Sequence, residues 1–233
     1  MPSKAEDMIC TAIKCSTIEE MKKLAISAPT SIIELRIDTL KKHYNLVDEI
    51  RQLLQKLHDQ GKKTIITLRD RDEGGYYTGS SNEKLKMLLE LASTNPDFID
   101  VELAFPRLNT LIRELANMKV KVILSYHNLS YTPEYSILKS LVGHGISLGA
   151  HIVKVVTLAR NVQDNITVLN LCSEWKGKVI SFCMGRPGLI SRILAPFFGA
   201  PFTYAHHVHG KPTALGQISV KELIKLWKKL NLI

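Results

Sequence analysis

Short β-branched runs alternate with longer amphipathic stretches along all 233 residues, a pattern that predicts an α/β chain folded as a (β/α)8 TIM barrel, a single domain over 1–233. Such alternation implies parallel strands joined by crossovers, because a parallel neighbour cannot be reached by a tight turn. The units are spread evenly, with no linker and no shift in composition, which favours a closed barrel over an open doubly wound sheet. No GxGxxG follows a strand and no P-loop signature is present, so neither a dinucleotide nor a P-loop site is expected.

The units fall in order. The strand at 8–13, apolar but for Thr11 and ended by Lys14, leads into a helix at 18–27. Strands at 31–36 and 63–68 lead into helices at 47–60 and 82–93, and strands at 98–103 and 121–125 into helices at 108–117 and 133–148. The last strands, 151–156, 178–183 and 202–205, precede helices at 162–175, 189–198 and 220–230.

Hydrophobic residues at 45% and charged residues at 23% are ordinary globular values, which exclude disordered, collagen-like and mucin-like chains. No run of 18 apolar residues exists and the opening is polar, so no membrane partner and a cytoplasmic location are expected. Cys10, Cys15, Cys172 and Cys183 show no metal or redox spacing and read as thiols. Lys+Arg 31 against Asp+Glu 22 leaves a net charge of +9, carried by groups such as Lys41-Lys42, Lys62-Lys63 and Lys84 with Lys86 that read as a solvated face. With aromatics at 6%, no nucleic-acid partner is expected; a basic surface can also steer a small anion into a cleft.

In a barrel, reactive groups sit at the C-terminal ends of strands or in the loops that follow. Strand two ends in Glu34-Leu35-Arg36-Ile37-Asp38, whose alternation directs Glu34, Arg36 and Asp38 the same way. Strand three ends in Arg69, ahead of Glu73-Gly74-Gly75; strand four carries Asp100 and Glu102 on one face; strand five ends in Ser125-Tyr126-His127-Asn128. In strand six, Lys154 interrupts an apolar β-branched run. Parallel barrel strands are buried on both faces, and lysine is seldom buried unpaired. Desolvation favours the neutral amine, the form that attacks a carbonyl. Lys154 therefore reads either as a Schiff-base nucleophile or as a structural lysine that pairs with Asp100 or Glu102 or reaches solvent.

Adjacent strands bring His127 to the same rim as Lys154, where a base reaches the carbon next to an imine. Glu73 is placed to hydrogen-bond the histidine and set its tautomer, or belongs to a plain soluble turn. Between strand seven and its helix, residues 184–192 combine glycines and arginines, so helix-start amides and Arg192 suit a carboxylate or phosphate. Thr213 and Gln217 offer a hydroxyl and an amide, which fits a polyhydroxylated ligand or an ordinary helix lead-in. The run His206-His207-Val208-His209 lacks carboxylates or cysteines at ligand spacing, so no metal is expected there.

Taken as an ordered set, these segments make the sequence similar, over nearly its whole length, to the type I 3-dehydroquinate dehydratase family. The carrying segments are Glu34-Leu35-Arg36-Ile37-Asp38, Thr67-Leu68-Arg69 with Glu73-Gly74-Gly75, Ser125-Tyr126-His127-Asn128, Val153-Lys154-Val155, Met184-Gly185 through Ser191-Arg192, and Gly216-Gln217. The resemblance implies a (β/α)8 barrel that uses no cofactor and no metal and converts 3-dehydroquinate to 3-dehydroshikimate in the shikimate pathway. It implies that Lys154 forms the imine, that His127 is base and then acid, and that Glu73 is its partner. It also places Arg192 on the substrate carboxylate and Glu34, Arg36, Arg69 and Gln217 around the hydroxyls and ketone, with Thr213 where serine is usual and Tyr204 as an aromatic wall. A homodimer is the assembly the family leads one to expect. Two rival readings stay open at this point: another Schiff-base barrel lyase, such as a class I aldolase, and a nucleic-acid-binding protein suggested by charge alone.

Overall fold

In the computed structural model, which describes residues 5–41 and 44–233, eight parallel strands form one sheet. They are β1 (Ile9–Ile13), β2 (Ile32–Arg36), β3 (Lys63–Thr67), β4 (Phe98–Glu102), β5 (Lys121–Asn128), β6 (Ile152–Leu158), β7 (Val179–Met184) and β8 (Thr203–His206). A helix follows each in turn: α1 (Ile18–Ser27), α2 (Leu46–Asp59), α3 (Ser81–Ala92), α4 (Leu108–Asn117), α5 (Tyr135–Ser147), α6 (Asp164–Glu174), α7 (Leu189–Leu194) and α8 (Val220–Lys229). This is the (β/α)8 barrel the alternation predicts. Residues 1–4 of the polar opening, and Lys42 of the Lys41-Lys42 pair, lie outside the described residues.

Helical periodicity places the outer apolar layer. In α2, Ile50, Leu53, Leu54 and Leu57 recur at helical spacing and are all buried, and α4 (Leu108, Leu111, Leu115) and α8 (Val220, Leu223, Trp227) do the same. Each such side chain contributes about 1.5–3 kcal/mol when taken out of water. Alternate strand residues face the other way: Cys10, Ile32, Ile65, Ile123, Ile152, Ile180 and Phe202 pack together as an apolar floor inside the barrel. Capping boxes at Ser80–Glu83 and Ser219–Glu222 fix where α3 and α8 begin.

The sheet closes through β8 onto β1, in register from Ile9↔Thr203 to Ala12↔His206, and among the described residues no ladder joins β7 to β8. The start of α7 fills that seam. Ser191 Oγ accepts from the Cys183 amide at 2.9 Å, Thr203 Oγ1 donates to the Arg192 carbonyl at 2.7 Å, and Arg192 Nη1 donates to the Tyr204 carbonyl at 3.3 Å. Two strand backbone groups along the seam, the Cys183 amide and the Tyr204 carbonyl, are thus paired by side chains.

Several elements differ from the sequence expectation, each for a physical reason. β5 runs to Asn128 rather than Ser125, because the ladder to β6 continues through His127↔Val156 and Asn128↔Thr157 although the side chains turn polar. β2 stops at Arg36, and Asp38 lies in a 3-10 turn over Ile37–Thr39 instead of continuing the alternation. α7 ends at Leu194 and gives way to a 3-10 turn over Ala195–Phe198, where Pro196 has no amide to donate. Two lysines assigned to a solvated face are not on it. Lys84 is 1% exposed and paired with Glu102, and Lys62 donates to the Ala25, Ile26 and Ala28 carbonyls at the end of α1. The four cysteines are free and buried.

Candidate active site

Glu34, Arg36, Arg69, Glu73, His127, Lys154, Arg192, Thr213 and Gln217 all line one cavity of about 500 Å³ at the C-terminal ends of the strands, while Asp38, Asp100, Glu102 and Ser125 stand behind them as partners. Lys154, on β6 and 4% exposed, stands at its base. Its Nζ donates to Asp100 on β4 and lies 3.7 Å from Glu34 on β2. The lysine is therefore paired, as the structural reading expects, and at the same time faces the cavity.

Asp100 also accepts from Arg69 Nη2 at 2.5 Å and from Ser125 Oγ at 2.7 Å. Burial opposes its charge, but Arg69 and Lys154 outweigh burial and hold its carboxyl well below the usual range. Arg69 Nη1 goes to Glu102 at 2.9 Å, and Glu102 in turn accepts from Lys84 on α3 at 2.5 Å. The result is an alternating buried chain, Lys84, Glu102, Arg69, Asp100, Lys154. Glu102 is thus not the partner of Lys154. Arg69 spends its Nη atoms on these carboxylates and Ser125, while Arg36 is held through Nε and Nη2 by Asp38 at 2.9 and 2.7 Å.

His127, in the extended end of β5, sits one inward position beyond Ser125, the residue paired in register with Lys154. Its Nδ1 lies 2.7 Å from Glu73 Oε2, which also accepts from the His127 amide at 3.0 Å. Glu73 reaches it from a 3-10 turn closed by Gly74 at φ 80°. Gly75 is required because a Cβ there would lie 2.0 Å from the Arg69 carbonyl oxygen. Burial, then Arg69 and Lys154, push the histidine well below its ordinary value, so it is neutral near pH 7. Burial raises Glu73 to about 7, against the pull of Arg69.

Ionised Glu73 accepts from Nδ1–H and leaves Nε2 as the basic nitrogen; protonated Glu73 reverses that arrangement. The sign follows: kcat should rise with pH through an apparent value of about 7 that belongs to the Glu73–His127 pair. Glu73→Gln should flatten this acidic limb and lower kcat by roughly tenfold or more. A limb of unchanged position in that variant would assign it to another group.

Arg192, 1% exposed, lies 4.3 Å from the Phe182 ring centre, and its Nε and Nη2 have no hydrogen-bond partner. Burial lowers it to about 10, and none of the salt bridges among the described residues involves it. A desolvated cation without an anion, lining a cavity, has the chemistry that suits an anionic ligand. The helix-start amides expected to share this role are occupied: the Gly188 and Leu189 amides donate to the Gly185 and Arg186 carbonyls, and α7 is only 6 residues long. Of the groups expected there, only the guanidinium keeps donors free.

Thr213 and Gln217 close the cavity from the loop after β8. Gln217 Oε1 accepts from the Thr213 amide and hydroxyl at 2.6 and 3.0 Å. Gly216, at φ 74°, rests on Gly185, whose amide donates to the Leu215 carbonyl at 3.1 Å. The histidines before this loop bond locally: His206 Nδ1 to the His207 carbonyl at 2.8 Å, and His207 Nδ1 from the His209 amide at 3.1 Å. Sequence reasoning missed Lys14 and Tyr76 at the cavity mouth, where Lys14 Nζ donates to the Tyr76 hydroxyl at 2.9 Å. Their positions, directly after β1 and beside Glu73-Gly74-Gly75, were the available signal.

These features define a class: a (β/α)8 barrel whose cavity gathers a buried amine, a histidine–carboxylate pair and a cation without an ion-pair partner, a set suited to acid–base and amine chemistry on an anionic molecule. A family model described as type I 3-dehydroquinase matches residues 9–232. The 3-dehydroquinate dehydratases of Dehalococcoides mccartyi and Pyrococcus abyssi are each 33% identical to this chain; the first covers 98% of it and 97% of its own length, the second 96% and 99%. A crystal structure of the type I 3-dehydroquinate dehydratase of Clostridium difficile with covalently modified comenic acid is similar at a TM-score of 0.82 and 26% identity, over 96% of this chain and 92% of that one. The Aquifex aeolicus 3-dehydroquinate dehydratase aligns at 0.78 and 29%, over 95% and 98%. The chain belongs to the type I 3-dehydroquinase family.

Proposed function

We propose that this chain removes water from 3-dehydroquinate to give 3-dehydroshikimate, as a hydro-lyase of the shikimate pathway that works through an imine on Lys154. The observation that carries the reading is the convergence of the buried amine, the His127–Glu73 pair and the unpartnered Arg192 on one cavity.

The substrate carboxylate takes the free Nε and Nη2 of Arg192, while Glu34, Arg36, Arg69, Thr213 and Gln217 surround the hydroxyls and ketone. Lys154 passes one ammonium proton to His127 and its amine adds to C3; the ketone oxygen takes that proton, then a second one released by the adding nitrogen and relayed by His127, and leaves as water, forming an iminium. The iminium draws electrons from C2, so His127 removes the C2 proton and an enamine forms. Collapse of the enamine expels the C1 hydroxyl, which leaves as water with the proton returned by His127. Hydrolysis of the conjugated iminium consumes one water, frees the product and restores the Lys154 ammonium, so one water is lost in net. The iminium is itself the electron sink, and this route calls on no cofactor.

The test is direct: purified protein with 3-dehydroquinate should develop the ultraviolet absorbance of the conjugated product, and a folded protein that yields none refutes the assignment. His127→Ala should lose roughly 10²–10⁴-fold in kcat yet still form a trappable imine. Wild-type turnover in that variant would remove His127 as the base. No helix among the described residues is long and apolar enough to cross a membrane. A cytoplasmic homodimer accompanies this reading, and sedimentation of the purified protein tests the assembly.

A further inference from the structure

Among the described residues, the buried side-chain polar atoms without a hydrogen-bond partner belong to Ser181, Arg192 and Tyr204. Ser181 alternates with Ile180 and Phe182, which face the barrel interior, so it lies on the opposite face of β7. Arg192 and Tyr204 line the catalytic cavity. A substrate carboxylate answers the orphaned atoms of Arg192 and leaves the Tyr204 hydroxyl unanswered.

Tyr204 is on β8, opposite Cys10 in register, and is 4% exposed. Its ring is locked by Phe202, edge-on with centres 5.6 Å apart, and by Phe182 at 6.0 Å. Lys154 Nζ lies 4.7 Å from the ring centre. The ring is thus held against the nucleophile, and its phenol belongs to a residue that lines the cavity. Burying a hydroxyl without a protein partner costs stability that a phenylalanine would not. Its natural partner is an atom that enters the cavity.

We infer that the Tyr204 hydroxyl is a further catalytic group, donating a hydrogen bond to the substrate's ketone oxygen while Lys154 adds to that carbon. The inference rests on the imine reading above. As the Nζ–C bond forms, the carbonyl π pair moves onto oxygen, and a donor already aimed there stabilises the developing charge without reorganising. Tyr204 keeps its own proton throughout: burial, then Glu34 and Cys10, hold the phenol well above its ordinary value. The two protons that carry the oxygen away as water both come from the Lys154 nitrogen by way of His127, so the step needs no further reactant.

Tyr204→Phe deletes only the oxygen and leaves the ring against Phe182, Phe202 and Lys154. In single-turnover mixing of wild type and variant with 3-dehydroquinate, quenched by borohydride and read by intact-protein mass, the variant should form the imine roughly ten- to a hundredfold more slowly. Its KM should change little, and its Tm without substrate should be equal or higher. An unchanged rate of imine formation overturns the inference, as does a raised KM with unchanged kcat, which would put the hydroxyl on a ring hydroxyl held equally in ground and transition states. A fall in Tm would show that the oxygen is partnered within the protein and remove the premise. Wild type that neither turns over nor forms the adduct refutes the imine reading itself, whereas wild-type turnover with an equally fast variant refutes only the part given to Tyr204.

Discussion

Lys154→Met loses at least about 10⁴-fold in kcat while remaining folded, because deleting the nucleophile closes the covalent route and leaves binding alone. Removing one member of a buried ion pair ordinarily costs about 3–5 kcal/mol, since the other charge is stranded. Here the stranded charge still has partners: Asp100 keeps Arg69 at 2.5 Å and Ser125 at 2.7 Å, and Glu34 keeps the Thr67 hydroxyl at 2.9 Å. The methionine chain occupies much of the space of the lysine stem beside Val156 and Tyr204. The check is steady-state turnover together with a thermal melt. Activity within tenfold of wild type would contradict the mechanism, and an unfolded variant would contradict the account of how Asp100 is held.

Arg192→Met should move stability and activity in opposite directions. The wild-type guanidinium is desolvated in the seam between β7 and β8 with one bond, to the Tyr204 carbonyl at 3.3 Å, and burial has lowered it to about 10. Replacing that charge by an apolar chain of similar reach should stabilise the substrate-free protein by ~1–3 kcal/mol. The same change removes the seat of the substrate carboxylate and should lower kcat/KM by roughly 10²–10³-fold, as expected for loss of a charged hydrogen-bond partner in a dry site. Denaturant melts and initial rates on the same preparation read both effects. A destabilised variant with unimpaired kcat/KM would show that Arg192 serves the fold and not the substrate.

The outer architecture was legible because both periodicities are written in side chains: α2 repeats Ile50, Leu53, Leu54 and Leu57, and β6 shows Lys154 against a β-branched background. The end of β5 was not, because Tyr126, His127 and Asn128 are polar while the ladder that keeps them extended is made by backbone groups blind to side-chain character. Lys84 read as a surface lysine, since its burial depends on Glu102 and Asp70 arriving from β4 and from the end of β3. The amides at 188 and 189, expected to help seat an anion, instead close a turn, and Arg192 turns inward along the seam between β7 and β8, where it donates to the Tyr204 carbonyl. Tyr204 was visible as an aromatic wall, but an orphaned oxygen is a property of surroundings that a sequence does not display.

The central claim is that Lys154 forms an imine with the ketone of 3-dehydroquinate. Borohydride treatment of the purified protein with that substrate, followed by peptide mass spectrometry, tests it most directly. A reduced adduct on the peptide that carries Lys154, with activity lost in parallel, is the result this account predicts. Turnover with no adduct, or an adduct mapped to another lysine, would contradict it.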